Sequence, residues 1–240
     1  MSITFNEVSK SFGPKTVLDR VSFEVTKGEI MFILGRSGMG KSVTLKNIVG
    51  LLKPDSGEVF VEKMNINRLD EDGLAEARKV CGMVFQHPAL LDSLTIFDNV
   101  AFGLRGLPAE KIRARVLECL KLVHLDESIL NRKPPEISYG MQKRVSLART
   151  IAPGPRYLLF DEPTTGLDPI TTNAINELIF ELSRSLNVTS VVVSHDMGCA
   201  LRIADRILVL DAGKILALGT VEDIKNNPDA LIRDFLLEAV

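Results

Sequence analysis

The chain lacks the features that mark disulfide-rich and strongly charged proteins. Its 240 residues include no tryptophan, two tyrosines and three cysteines, and the formal net charge is only −2. The cysteines, Cys81, Cys119 and Cys199, are widely spaced and lie among apolar residues, which favours buried, reduced thiols over disulfides or a metal site. The small net charge gives no indication of a nucleic-acid-binding tail or a polybasic membrane anchor.

Long hydrophobic runs and targeting signals are also scarce. No apolar stretch approaches the roughly 20 residues that a membrane-spanning helix needs. The first residues, Met-Ser-Ile-Thr-Phe, resemble a strand and not a signal peptide. No internal repeat and no low-complexity segment interrupts the sequence. We therefore expect any membrane role to come through a partner protein.

The sequence does contain a phosphate-binding motif, which we call the phosphate loop. Residues 35–42 match G-x-x-x-x-G-K-[ST] at every fixed position. The apolar run at 29–34 predicts a buried strand before it, and 42–50 predicts a helix whose N-terminus favours an anion. Lys41 would reach the β- and γ-phosphates, and the Ser42 hydroxyl can bind Mg²⁺. The candidate nucleotide-binding residues of this loop are Gly35, Arg36, Ser37, Gly38, Met39, Gly40, Lys41 and Ser42.

Two acidic residues follow a second apolar strand. Residues 157–160, Tyr-Leu-Leu-Phe, precede Asp161 and Glu162. A carboxylate at the end of a buried strand beside a phosphate loop can hold Mg²⁺ through water, which is the role that we expect for Asp161. Glu162 would then act as general base toward the water that attacks the γ-phosphate. An isolated Asp-Glu pair would be a solvated turn, but the strand and the upstream loop favour the catalytic interpretation.

These motifs, together with four others in a fixed order, resemble the ATP-binding-cassette family of ATPases. The others are Gln86 after the apolar residues 81–85, Ser-Tyr-Gly-Met-Gln at 138–142, Gly-Leu-Asp-Pro at 166–169 and Val-Ser-His-Asp at 193–196. The likeness covers nearly the whole chain. It implies a P-loop NTPase that binds ATP and Mg²⁺, pairs with a second copy of itself around two ATP molecules and hydrolyses ATP.

The resemblance also implies a role for each matching residue. Phe12 would stack on adenine, Gln86 would sense Mg²⁺ and the attacking water, and His195 would contact the γ-phosphate. Taken alone, Phe12 could be a packed core aromatic, Gln86 a surface amide and His195 a structural histidine. The residues implied to face the ATP of the second copy, or to lie across that interface, are Ser138, Gly140 and Asp168. The implied catalytic residues are Lys41, Gln86, Glu162 and His195, and the implied metal ligands are Ser42, Gln86 and Asp161.

The signature segment at 137–141 departs from the Leu-Ser-Gly-Gly-Gln that is usual in the family. It reads Ile-Ser-Tyr-Gly-Met. The serine and the second glycine remain, so contacts to the opposite γ-phosphate can survive. Tyr139 replaces a glycine, which puts a positive φ in doubt there, and Met141 loses the hydrogen bond of an amide side chain. We expect ATPase activity to persist with an altered coupling or rate.

The order of the elements predicts an α/β fold in which a P-loop NTPase core carries an antiparallel β subdomain and an inserted α-helical subdomain. Residues 2–34 predict an antiparallel edge sheet that leads into the first core strand, and residues 57–61 predict another strand. Helical spacing at 95–104 and 108–123 predicts the inserted subdomain, and 156–219 returns to β-α units. The expected parts of one nucleotide-binding domain over 1–240 are a core at 1–86 and 141–225, a helical subdomain at about 87–140 and a C-terminal helical tail at about 226–240.

Two segments, 85–100 and 227–237, resemble the ATPase subunits of Mce-type phospholipid transporters, which maintain outer-membrane lipid asymmetry. The resemblance implies phospholipid movement between inner and outer membranes, driven at the cytoplasmic face of the inner membrane through an integral permease. A small regulatory subunit and a periplasmic Mce subunit would be further partners, and no nucleic acid is implied. The apolar face formed by Leu231, Ile232 and Phe235 favours a subunit contact for the tail over packing on its own domain.

Other functions fit the same catalytic motifs. An importer of amino acids or other small solutes would carry the same residues, and a soluble cassette ATPase acting in assembly or regulation would need no permease. A nucleic-acid repair cassette is disfavoured, because the chain lacks the long coiled-coil insertion that such proteins carry.

Overall fold

Two β-sheets organise residues 2–237, which are the residues that this computed structural model describes. The ten strands of these residues are β1 (Ile3–Phe12), β2 (Lys15–Val25), β3 (Ile30–Leu34), β4 (Ser56–Val61), β5 (Met64–Asn65), β6 (Cys81–Val84), β7 (Tyr157–Asp161), β8 (Thr189–Ser194), β9 (Arg206–Asp211) and β10 (Lys214–Thr220). The larger sheet has the order β10-β9-β3-β8-β7-β6, and the smaller has the order β2-β1-β4-β5. Strands β9 to β6 of the larger sheet run parallel, and β10 pairs antiparallel at its edge.

Helices cover the larger sheet and fill the connections between its strands. The nine α-helices of residues 2–237 are α1 (Lys41–Ile48), α2 (Glu71–Lys79), α3 (Ile96–Ala101), α4 (Ala109–Leu122), α5 (Tyr139–Ile151), α6 (Pro169–Ser185), α7 (Met197–Ile203), α8 (Val221–Lys225) and α9 (Ala230–Leu237). None of these described helices is long and apolar enough to cross a membrane. The predicted α/β fold class is confirmed, because the smaller sheet is wholly antiparallel and the insertion between β6 and β7 is helical.

The central parallel strands are buried on both faces, and each face contributes to a different core. Along β3, Ile30 and Phe32 lie in the core formed with the helices of the insertion and of the C-terminal half. Met31 and Ile33, which alternate with them, lie in the core formed with the antiparallel sheet and α1. Successive side chains of a strand point to opposite faces, so an uninterrupted apolar run is what a strand between two layers requires.

Several helix boundaries differ from the prediction. The helix predicted at 95–104 is α3, which Thr95 caps by accepting a hydrogen bond from the Asp98 amide, followed by a 3₁₀ turn at Phe102–Leu104. Helix α4 begins at Ala109, one residue after the predicted start, and Pro108 is its N-cap residue. Helix α2 was not predicted, because only Leu74 and Ala77 are buried and so few apolar positions give no clear periodicity.

The described part of the C-terminal tail packs on its own chain, and a contact of this helix with a second subunit stays a prediction. Helix α9 contacts α7 and α8, and its Ile232 is fully buried. Residues 238–240 of the predicted tail, like Met1 of the predicted core, lie outside the described residues. The other divisions of the predicted domain remain a proposal.

Candidate functional site

Side chains from four parallel strands meet at the carboxyl edge of the larger sheet. The phosphate loop follows β3, Gln86 lies two residues after β6, Glu162 follows β7 and His195 follows β8. Strand β8 lies between β3 and β7, which brings these segments together although they are far apart in sequence. Open α/β sheets bind ligands outside the carboxyl ends of their strands, so this edge is the candidate site.

The phosphate loop is held in a shape that only glycine permits at two positions. Gly40 has φ 96°, and a Cβ there would lie 2.6 Å from the Val17 carbonyl oxygen. A Cβ at Gly35 would lie 2.4 Å from the Leu210 carbonyl oxygen. Helix α1 begins directly after Gly40, and no side chain of the described residues caps it. The amides of its first turn therefore remain available to an anion.

Lys41 is buried under the loop that it belongs to. Its Nζ donates hydrogen bonds to the carbonyl oxygens of Gly35, at 2.8 Å, and Arg36, at 3.1 Å. The same nitrogen lies 3.5 Å from a carboxylate oxygen of Glu162. A buried cation held next to orphan amides forms the electropositive cradle that a polyphosphate requires.

A cleft of about 450 Å³ opens over the loop. Phe12 lines it with a side chain that is 48% exposed, so Phe12 is not a core aromatic. The Lys10 ammonium lies 5.6 Å from the centre of the Phe12 ring. Predicted residues that also line the cleft are Ser37, Gly38, Gly40, Lys41, Ser42, Gln86 and Glu162. The cleft thus brings an exposed aromatic face and the phosphate cradle into one continuous space.

Ser42 and Asp161 provide the oxygen atoms that Mg²⁺ prefers. The Ser42 hydroxyl donates a hydrogen bond to the Asp161 carboxylate at 2.6 Å, although β8 lies between β3, which precedes Ser42, and β7, which ends at Asp161. Mg²⁺ is usually held by one or two carboxylates, water and phosphate oxygens rather than by a complete protein cage. This pair fits such a site, and Gln86 lies on the wall of the same cleft.

Glu162 is held through both its backbone and its side chain. It adopts a left-handed backbone conformation, with φ 44°, which is unusual for a residue other than glycine. One carboxylate oxygen faces Lys41, and the other lies 3.4 Å from His195 Nδ1 and accepts a hydrogen bond from the Thr165 hydroxyl at 3.0 Å. Backbone strain of this kind concentrates at functional sites, where the surroundings hold the residue in place.

Comparison with known proteins identifies the family. The family model described as "ABC transporter" matches residues 18–165, from β2 through the phosphate loop to Thr165. This match covers more than half of the chain. The chain belongs to the ABC transporter family. Members of the family bind ATP with Mg²⁺, and the cleft, the cradle and the Ser42–Asp161 pair fit those ligands.

Two relatives and one solved structure place this ABC protein more closely. It is 46% identical over 213 residues to the methionine import ATP-binding protein MetN of Carboxydothermus hydrogenoformans, covering 88% of this chain and 63% of the relative. It is 42% identical over 236 residues to MetN of Mesorhizobium japonicum, covering 98% of this chain and 64% of the relative. The chain thus spans a little less than two thirds of the length of these relatives.

The dimeric, post-hydrolysis structure of the ATP-binding cassette MJ0796, bound to ADP and Pi, is similar to this chain. It matches with a TM-score of 0.82 and 36% identity over 91% of this chain and 98% of that chain.

Some predicted nucleotide-binding residues lie outside the cleft of this ABC chain. Ser138 caps α5, and its hydroxyl accepts a hydrogen bond from the Met141 amide at 3.3 Å. Asp168 caps α6, and hydrogen bonds from Thr171 hold the pKa of its carboxyl below the usual range. Gly140 lies close to Thr171, since a Cβ on Gly140 would be 3.1 Å from the Thr171 side chain. Contacts of these residues with a second copy remain a prediction.

The remaining predicted residues lie around the cleft. The Arg36 guanidinium lies 5.9 Å from the Phe235 ring centre on α9. The Met39 amide donates to the Arg36 carbonyl oxygen in a tight turn. His195 lines a neighbouring cleft together with Thr165 and Phe235. Its contact with Glu162 nevertheless joins that cleft to the phosphate loop.

The sequence interpretation missed several residues at this site. Lys15 lines the nucleotide cleft from the first position of β2, and its Nζ lies 3.7 Å from where a Cβ on Gly38 would be. Thr165 supports Glu162 from three residues further along the chain. A threonine in the turn after an Asp-Glu pair was the available signal for Thr165, whereas nothing local distinguishes Lys15 from an exposed turn lysine. Tyr139 starts α5 without a positive φ, so its replacement of glycine causes no backbone strain.

Proposed function

We propose that this protein is the ATP-hydrolysing subunit of an ABC transporter and that it acts as a dimer. The observation that carries the proposal is the position of Glu162. Its carboxylate lies within 3.5 Å of the phosphate-loop lysine and within 3.4 Å of His195 Nδ1. Few arrangements other than nucleotide hydrolysis need a carboxylate, a buried cation and an imidazole beside an anion cradle.

In this proposal, each side chain of the site has a separate role in ATP hydrolysis. Lys41 binds the β- and γ-phosphates. These phosphates then compete with the Glu162 carboxylate for the positive charge of Lys41. Glu162 accepts a proton from the attacking water, and the water oxygen bonds to the γ-phosphorus. The bond between the γ-phosphorus and the leaving ADP oxygen breaks. His195 holds the γ-phosphate in position. Ser42 and Asp161 would hold Mg²⁺ and Gln86 would sense it, and the ion would supply positive charge against the phosphates.

The transported solute is an amino acid in this proposal. Relatives at 46% and 42% identity carry the name methionine import ATP-binding protein. This supports the importer, which was the alternative in the sequence interpretation, over phospholipid transport. Phospholipid transport remains a second candidate because of the segments 85–100 and 227–237, but the relatives give no support to a regulatory or Mce subunit. We propose that an integral permease holds the dimer at the cytoplasmic face of the inner membrane.

Turnover by a Lys41→Ala variant tests the proposal. Loss of the cation that the loop places on the phosphates should weaken ATP binding and lower Mg²⁺-dependent hydrolysis by about 10²–10³-fold, as expected when a charge-stabilising group is removed from a transition state. Lys53→Ala, which removes an exposed lysine outside the cleft, should retain normal turnover. Normal turnover in a folded Lys41→Ala protein would refute the assignment of the site.

A further inference from the structure

Helix α5 holds the segment that follows β6 at four consecutive residues. The Lys143 ammonium donates a short hydrogen bond to the Gln86 carbonyl oxygen. A hydrogen bond of 3.2 Å joins His87 Nδ1 to the Tyr139 hydroxyl. The Arg149 guanidinium donates to the carbonyl oxygens of Ala89, at 2.8 Å, and Pro88, at 3.3 Å. These four hydrogen bonds tie the segment 86–89 to α5.

Among these contacts, the one between Tyr139 and His87 depends on a side chain that is unusual for the family. Tyr139 occupies a position at which the family usually has glycine, and a glycine would leave His87 without this partner. The Lys143 ammonium also lies 5.6 Å from the centre of the Tyr139 ring, in the range of a cation–π contact. Both Tyr139 and His87 are exposed enough for their contact to form or break without disturbing the core.

Tyr139 is adjacent to Ser138, and His87 is adjacent to Gln86. In the proposed dimer, Gln86 belongs to the ATP site of its own chain, whereas Ser138 faces the ATP held by the second copy. The His87–Tyr139 hydrogen bond therefore links residues of two different ATP sites within one chain. Coupling between two sites requires an element whose position both ligands change, and it is reciprocal.

We propose that the His87–Tyr139 hydrogen bond couples the two ATP sites of the dimer. Occupation of one site moves Gln86, the hydrogen bond transmits that movement to the start of α5, and Ser138 then meets the second ATP in its productive position. His87 and Tyr139 are positioning residues, since neither needs to touch ATP. This inference rests on the proposed dimeric ATPase and adds a route between its sites.

Cooperativity of ATP hydrolysis tests the inference with single and double variants of the full chain, assayed with its permease if turnover requires one. Wild-type protein should show a Hill coefficient for ATP clearly above 1. Tyr139→Phe and His87→Ala should each reduce it toward 1 and lower kcat by about two- to tenfold, the range expected for one net hydrogen bond. The double variant should be no worse than either single variant, because both remove the same interaction. Melting temperatures should stay near the wild-type value.

Matched controls come from the other tyrosine and another exposed histidine. Tyr157→Phe also removes a tyrosine hydroxyl, at the end of β7 that lies opposite Asp161. His124→Ala removes an imidazole that faces Glu181. Both should keep the wild-type Hill coefficient. A Hill coefficient of 1 in the wild type, unchanged cooperativity in Tyr139→Phe, or additive losses in the double variant would each overturn the coupling. Turnover that survives Lys41→Ala would instead refute the proposed function, so the two failures are distinguishable.

Discussion

Glu162 combines a strained backbone with three side-chain contacts that hold it in place. A left-handed conformation of this kind costs about 1–3 kcal/mol and persists only where the surroundings impose it. Its amide donates to the Val193 carbonyl oxygen at 2.9 Å, and Lys41, His195 and Thr165 surround the carboxylate. These contacts fix the carboxylate beside Lys41, where the proposed general base would lie.

Replacement of this carboxylate by an amide should separate ATP binding from hydrolysis. Glu162→Gln keeps the shape of the side chain and leaves Asp161 and Ser42 unchanged. Hydrolysis should fall by roughly 10²–10⁴-fold, as expected on loss of a general base. ATP with Mg²⁺ should then trap a dimer, which size-exclusion chromatography measures. Glu181→Gln, at an exposed glutamate that faces His124, is the matched control. A monomer at saturating ATP, with any required permease present, would contradict the mechanism.

The cysteines should be unreactive in the native protein. Burial raises the pKa of the thiol to about 12 for Cys81, about 11 for Cys119 and about 12 for Cys199. The thiolate is the reactive species, so native protein at pH 8 should react slowly with a thiol reagent and denatured protein rapidly. The folded state keeps these protons above pH 9, where the unfolded state loses them, so the free energy of unfolding should fall as pH rises from about 9 to 11. A rapid reaction of the native thiols with the reagent at pH 8 would contradict the expected low reactivity of the cysteines.

At the level of elements, the N-terminus of α5 carries a helix cap that the structure shows and an ATP contact that remains a proposal. Ser138 caps the helix, and we expect its hydroxyl to face the ATP of the second copy. Ser138→Asn and Ser138→Asp both supply good N-cap side chains of nearly equal size, but only aspartate adds a negative charge. Turnover should be at least about tenfold lower in Ser138→Asp, because the charge repels the opposite γ-phosphate. Equal turnover in the two variants, with equal nucleotide binding, would leave Ser138 as a helix cap alone.

Local sequence predicts those elements whose residues determine their own conformation. Strands β3 and β7 are almost wholly apolar and β8 carries three consecutive valines, so their pattern predicts them, and the fixed residues of the motif predict the phosphate loop. The packing of α9 on its own chain and the 3₁₀ turn after α3 depend on distant contacts, which periodicity does not report. Lys15 was missed for the same reason, because its place in the cleft depends on residues that are distant in sequence.

At the level of the whole molecule, the nucleotide cleft and the start of α5 lie on one chain but serve different ATP molecules in the proposed dimer. One chain alone therefore holds half of each composite site. The helical insertion at α3 and α4 packs against α5, so a movement of α5 would reach the surface of the insertion. This arrangement suits a protein that passes the binding and hydrolysis of ATP to a permease.

Deletion of this protein from its host distinguishes the candidate cargoes. An importer predicts loss of high-affinity methionine uptake, measured with radiolabelled methionine, while the outer-membrane barrier stays intact. Wild-type and Lys53→Ala proteins should restore uptake, whereas Lys41→Ala and Glu162→Gln should not, because transport needs the hydrolysis that those residues support. Normal uptake with sensitivity to detergent and chelator, and phospholipid in the outer leaflet, would favour the phospholipid transporter instead. Normal behaviour in both assays, with no permease purifying alongside the chain, would favour a cassette ATPase without a membrane partner.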